Sequence, residues 1–292
     1  MAINTSNLTN YVDEQRLPLI RKAVLGARTI PYLTLQTGVV GTTALNILDT
    51  TIQFGDGGSC GWNANGESKI SQRKINPAII KVNMSFCDKK LAKTFAQHEV
   101  RVAAGQAKLP FEEQFTADII DAIAVELDKM IWQGGTIGGV DYKGFLNLET
   151  SGYTTATKGA TIYASTRAVY NAIPAASLED SAIFMGIDKF RELAGELTEK
   201  NLYHYDPKVD EAFKMVLPGT TTEVVGVPGL NGTNKIVALN LAHSVYGTDM
   251  EGDEEVFKLW YSDDNQEFRF ACNFSEGVQV AYLDEMVICD LA

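Results

Sequence analysis

Histidine, cysteine and long apolar runs are all in short supply, and each shortage removes a class of function. The three histidines, His98, His204 and His243, lie far apart in a chain of 292 residues. His98-Glu99 begins like a zincin motif, but the position one turn later is Val102, so two imidazoles cannot share that helix face. The four cysteines, Cys60, Cys87, Cys272 and Cys289, form neither a disulfide framework nor a CxxC pair and read as buried or free thiols. No stretch approaches the roughly 20 apolar residues that a membrane span needs. The start, MAINTSNLTNYVDEQRLP, has no basic n-region and no apolar h-region, so a soluble, unexported chain is expected. Phosphate-binding GxxxxGK[ST] and GxGxxG turns are absent, and no cofactor or metal is expected.

A surplus of basic residues is missing too. Lys and Arg number 25 against 37 Asp and Glu, a net charge of -12. A specific nucleic-acid reader needs a basic face, because phosphate neutralisation supplies most of its affinity. The charge is uneven: residues 249–290 hold twelve acids against Lys258 and Arg269, whereas the first thirty residues carry Arg16, Arg21, Lys22 and Arg28 against Asp13 and Glu14. Oppositely charged ends of this kind steer copies toward one another; an ordinary solvated acidic face gives the same count.

What is present is enough apolar material, 45% of residues, to bury a sizeable core in one large domain or two of ordinary size. Residues 1–44 show weak periodicity, two prolines and a Gly/Thr-rich stretch, and read as an extended arm. LNILDTTIQF reads as a strand, GDGGSCGWNANGE as a turn-forming tip and SKISQRKI as the returning strand, so residues 45–78 form a polar ribbon with little apolar surface of its own. IIKVNMSF alternates, with Ile80, Val82, Met84 and Phe86 on one face. A helix follows from Asp88 to about Ala104.

The best-defined element is a helix over residues 110–133. Phe115, Ile119, Ile120, Ile123, Leu127, Met130 and Ile131 recur at spacings of three and four, with Gln114, Asp118, Asp121, Asp128 and Lys129 assigned to the opposite side. Glycines at 134, 135, 138 and 139 end it. Helices are expected over 166–175 and 188–201, the second with Phe190, Leu193 and Leu197 on one stripe, and SAIFMGI between them as a buried strand. TTEVVGVPGL, KIVALNL, VFKLWY, EFRFACNF, VQVAYL and MVICDL complete an α+β chain with a strand-rich end.

Two chemical patterns compete with a structural reading. Gly57-Gly58-Ser59-Cys60-Gly61 matches the G-x-S-x-G elbow of serine hydrolases, with Ser59 as nucleophile, but Trp62-Asn63-Ala64-Asn65-Gly66 cannot begin the helix that the elbow needs. Asp249, Glu251, Asp253, Glu254 and Glu255 offer oxygen ligands without EF-hand spacing and read as a solvated loop.

The helix FEEQFTADIIDAIAVELDKMIWQGG running into GGVDYKGFLN, the segment AIFMGIDKFRELAGEL, the Gly226-Val227-Pro228 turn and the terminal strand pair occur in an informative order. In that order the chain resembles the major capsid proteins of tailed bacteriophages, the Hong Kong 97-type shell fold that encapsulins also use. The resemblance implies an N-terminal arm over 1–44, an extended β-hairpin loop over 45–78, a peripheral domain over 79–154 and 271–292 with a spine helix at 110–133, and an axial domain over 155–270. It implies a non-enzymatic, self-assembling virion subunit, built in the host cytoplasm, whose partners are its own copies in hexamers and pentamers, a portal and packaged DNA held non-specifically, with no membrane. About a hundred residues precede the spine helix and arm and loop use them, so a separate scaffolding protein is expected instead of a fused one. Arm and loop place Arg16, Arg21, Lys22, Trp62, Lys69, Arg73 and Lys74 as candidate intersubunit contacts. Some relatives crosslink through a Lys–Asn isopeptide bond, for which Lys69 or Lys74 would be the donor. An encapsulin-like compartment shell is the alternative within the same fold.

Overall fold

A computed structural model describes residues 25–54, 66–87, 111–137, 140–200, 213–249, 258–262, 264–265 and 267–292. The expected helix over 88–104, the ribbon tip with Ser59, Cys60 and Trp62, and the first 24 residues with Arg16, Arg21 and Lys22 lie outside those residues. In chain order the first strands are β1 (Thr34–Thr37), β2 (Thr43–Ile52), β3 (Gly66–Ile75) and β4 (Ala78–Cys87). The spine α1 (Phe111–Gln133) precedes a short ribbon, β5 (Gly135–Ile137) and β6 (Val140–Tyr142), then β7 (Thr154–Thr155) and α2 (Ile162–Ala172). Next come β8 (Ser181–Gly186), α3 (Ile187–Glu199), β9 (Lys214–Val216), β10 (Glu223–Val227) and β11 (Lys235–Asn240). The last are β12 (Ser244–Thr248), β13 (Lys258–Ser262), β14 (Glu267–Val280) and β15 (Val287–Asp290).

Alternation decides the layers. Along β14, Phe268, Phe270, Cys272, Phe274, Val278 and Val280 face one core, shared with Ile119, Ile120, Ile123, Leu127, Ile131 and Trp132 of α1. β4 lies antiparallel along β14, pairing Phe86 with Phe268 and Ile80 with Phe274, so the expected strand is observed with Ile80, Val82 and Phe86 turned to the core, whereas Met84 of the same face is exposed. β1, β12 and β13 complete this first sheet.

The second sheet has the order β7-β15-β11-β8-β10-β9. Its strands are apolar on both faces, as a doubly covered sheet requires. Ala182, Phe184, Val225, Val237 and Leu239 point into the α1 core. Their alternates Ile183, Met185, Val224, Ile236 and Ala238 meet α2 and α3 through Val169, Phe190, Leu193 and Leu197. α2 begins at Ile162, earlier than the expected 166, because Thr161 caps it by accepting from the Ala164 N–H at 3.2 Å. Thr161→Ala is expected to cost about 1 kcal/mol of folding stability, read as a lowered chemical-denaturation midpoint.

Three expectations need correction. Residues 25–44 are not a free arm: Ala27, Ile30 and Leu33 enter the α1 core, and β1 pairs parallel with β12. EFRFACNF and VQVAYL are one strand, the fourteen-residue β14. The boundaries 155–270 and 271–292 do not follow the sheets, because β12, β13 and the start of β14 belong to the α1 sheet whereas the terminal β15 pairs with β11 of the other.

Candidate assembly surface and its internal anchor

β2 and β3 form a regular antiparallel hairpin in register from Thr43 opposite Ile75 to Ile52 opposite Gly66. With a side-chain period of two, one face carries Leu45, Ile47, Arg73 and Ile75 and the other Leu48, Thr50, Ile52, Ser68 and Ile70. The first face seats the hairpin root, with Ile47 and Ile75 buried. Arg73 holds it there, its Nε donating to Gln279 Oε1 at 3.3 Å and its Nη2 pairing with Glu149 at 3.2 Å, beside a cleft of about 390 Å³. The Tyr282 hydroxyl still reaches the Leu48 carbonyl at 3.3 Å, but the side chains of the second face are exposed. Leu48 is 58% exposed, Ile52 73%, Ile70 73% and Phe54, two residues past the end of β2, 99%. Leu48 and Ile70 are direct cross-strand partners, so their side chains form one apolar patch.

The candidate contact residues divide accordingly. Lys69 lies opposite Asp49 on the exposed stretch, and Lys74 is exposed near the root. Arg73 is partly buried and engaged by Glu149 and Gln279 of its own chain. The expectation that the ribbon is polar overlooked Leu48, Ile52, Phe54 and Ile70. Their even numbering was the available signal, and only the register shows that both strands place theirs on one face.

Behind the hairpin, three distant segments meet at one carboxylate. Asp128 of α1 accepts from the Thr29 N–H at 2.9 Å, the Thr29 hydroxyl at 2.6 Å and the Gly229 N–H at 2.7 Å. The Trp132 indole N–H donates to Thr29 Oγ1 at 2.7 Å. Asp128 is fully buried, not on the polar side of the helix where it was assigned. Position 128 stands four residues from Ala124 and from Trp132, in the middle of the buried stripe. Burial raises its pKa above the ordinary carboxylate range, opposed by the Thr29 and Gly229 hydrogen bonds and the charge of Arg28. Trp132 packs on Phe145 and Phe184 at ring separations of 5.4 and 5.2 Å. Thr29→Val leaves the Trp132 indole and one Asp128 oxygen with a lost partner in a dry site. A cost of about 2 kcal/mol is expected, seen in the denaturation midpoint of the isolated chain.

α1 ends where Gly134 takes φ +66° and its N–H reaches the Met130 carbonyl at 2.8 Å. A Cβ on Gly134 would stand 2.5 Å from the Tyr142 carbonyl oxygen, so the ribbon after the helix can fold back only against glycine. Among the described residues no cluster of three or more His, Cys, Asp or Glu is arranged to hold a metal ion.

No family model matches the chain, and no curated protein matches it significantly. Solved structures do, over nearly its whole length. A chain from the structure of Gordonia phage Cozz aligns with a TM-score of 0.60 at 12% identity, covering 91% of this chain and 87% of that one. The capsid of a native GTA particle gives 0.60 at 11%, covering 92% and 90%. The fold is that of a phage capsid subunit. The satellite phage P4 procapsid, in a structure that includes its size determination protein, aligns at 0.59 and 11%, covering 94% and 90%. At these identities the likeness is one of fold, and the α+β class fits these neighbours.

Proposed function

We propose that the chain is a major capsid protein, a non-enzymatic subunit whose copies close into the icosahedral shell around the double-stranded DNA of a tailed bacteriophage. The carrying observation is the hairpin. Its outer stretch runs about 14 Å from Leu48 to Ile52 with large apolar side chains exposed, on a fold shared with capsids over nine tenths of the chain. A two-stranded ribbon is marginal alone, and exposed apolar patches mark contact surfaces. Covered by a neighbouring copy, it becomes one of many equivalent contacts whose effects multiply in a closed shell.

In this reading the subunit divides into a peripheral part built on α1 and the first sheet and an axial part built on the second sheet, α2 and α3. Its copies form hexamers and pentamers. Arg16, Arg21, Lys22, Trp62, Lys69 and Lys74 meet neighbouring copies, with the basic arm complementing the acidic 249–290 segment. A separate scaffolding protein guides closure, a portal admits the genome, and the net charge of -12 suits a container that does not grip its DNA. The virion is its final location, after assembly in the host cytoplasm. Negative-stain microscopy of the purified protein should show hollow shells, sheets or capsomer rings, and a strictly monomeric species under all conditions refutes the proposal. Shells holding a protein cargo instead of DNA would assign the same fold to a cellular compartment.

A further inference from the structure

β14 carries one residue that does not belong to an apolar stripe. Between Phe274 and Val278, on the face turned toward the α1 core, stands Glu276, with no exposed surface. Its Oε2 accepts from the Tyr246 hydroxyl of β12 at 3.3 Å, and its Oε1 has no hydrogen-bond partner among the described residues. Its cross-strand partners are Thr248 of β12 and Ala78, the first residue of β4. The buried Thr248 Oγ1 and the buried phenol of Tyr142 in β6 also have no partner among the described residues. Among the described residues, the titratable groups facing Glu276 are therefore the two tyrosines, one from β12 and one from the ribbon after α1. β4 contributes only Ala78, and no Lys, Arg or His among the described residues offsets the charge.

The next residue, Gly277, faces the other side of the sheet and lies opposite Gly247. The hairpin root rests on this glycine pair: a Cβ on Gly277 would stand 2.8 Å from Ile75 Cγ2, and one on Gly247 3.2 Å from Val39 and 3.3 Å from Ile75. One short length of β14 thus seats the hairpin root on its outer face and buries an unpaired acid on its inner face.

We propose that Glu276 is a proton-controlled latch: protonated, it lets β14 close against β4, β12 and the β5-β6 ribbon beneath the seated hairpin, and on losing its proton it loosens that root. A carboxylate buried here has no cation beside it among the described residues, whereas the neutral acid needs only hydrogen-bond partners. Burial raises the Glu276 pKa from 4.5 to about 8, with the Tyr246 hydrogen bond opposing the rise. The phenol of Tyr142 is pushed up as well, by burial first and then by the charge of Glu276. Because the closed state holds the proton more tightly than an open, solvated one, the stabilisation is complete below about pH 4.5. It falls as pH rises and is exhausted above about pH 8. The latch acts on one subunit and holds whether or not copies assemble.

Amide hydrogen exchange of the full-length chain tests it, with rates corrected for their intrinsic pH dependence. Protection of amides in 75–80, 245–248 and 274–278 should fall between about pH 6 and pH 9, by about tenfold and by no more than about a hundredfold, while α2 and α3 stay constant. Glu276→Gln, which keeps the shape of the neutral acid, should abolish the fall. Constant protection in the native chain overturns the proposal, and so does an equal fall in Glu276→Gln. Should that variant not fold, infrared difference spectra of the native chain across the same range decide. Loss of a protonated carboxyl band in step with root opening supports the latch, and a root that opens without that loss overturns it.

Discussion

Replacing Leu48 and Ile70 together by aspartate should leave a folded, soluble chain that no longer assembles. The two side chains are cross-strand partners, 58% and 73% exposed, so they contribute little to the fold of their own subunit. Stability of the isolated chain should therefore fall by no more than about 1 kcal/mol. Fully burying a Leu or Ile side chain is worth about 1.5–3 kcal/mol, so the pair, already partly buried, supplies roughly 2–4 kcal/mol per contact. At 1.4 kcal/mol per factor of ten that is about 25-fold or more in affinity. The substitution also brings two like charges into direct opposition. Sedimentation and microscopy against the unmodified chain check it, and particles of normal yield and shape would remove the hairpin from the assembly contact.

Gly229→Ala should be as damaging by a different route. An added Cβ would lie 2.2 Å from the Asp128 carbonyl oxygen and 2.6 Å from Trp132 Cδ1. Neither neighbour can yield, since one is helix backbone and the other a fully buried indole. The turn must withdraw, and with it goes the Gly229 N–H that Asp128 accepts. A cost of about 3 kcal/mol or more is expected, enough to leave the chain largely insoluble or to lower its unfolding temperature by about 6 °C or more. Gly195, inside α3 with open space around it, is the contrast: Gly195→Ala should stabilise by up to about 1 kcal/mol. Equal stability for the two variants would show that the turn does not pack as tightly as drawn.

Periodicity carried much of the architecture. The spine, the buried strand at 181–186, the stripe of Phe190, Leu193 and Leu197 and the alternation in β4 all depend on spacings within one element, which a linear reading can follow. It failed where partners come from far away. Asp128 looks polar and solvated on a helical wheel, yet its hydrogen bonds reach 99 and 101 residues along the chain. β14 looks like two strands because Asn273, Ser275, Glu276 and Gly277 interrupt its apolar pattern, and Gly247 and Thr248 of β12 lie opposite that interruption. β1, four residues of modest apolarity, is a strand only because β12 offers it a parallel edge. The apolar patch on the hairpin needed the register of two strands before either side chain had a neighbour.

The contact of Thr29, Asp128 and Gly229 also bears on the order of folding. Its three members stand about a hundred residues apart in sequence, so no local event brings any two together, and loop closure must be met twice before the set is complete. Closure of the full set is therefore expected late, once α1 and the second sheet exist to hold Asp128 and Gly229 in place. On that order the segment around Thr29 would seat last, and its docking would report that the rest of the subunit is complete.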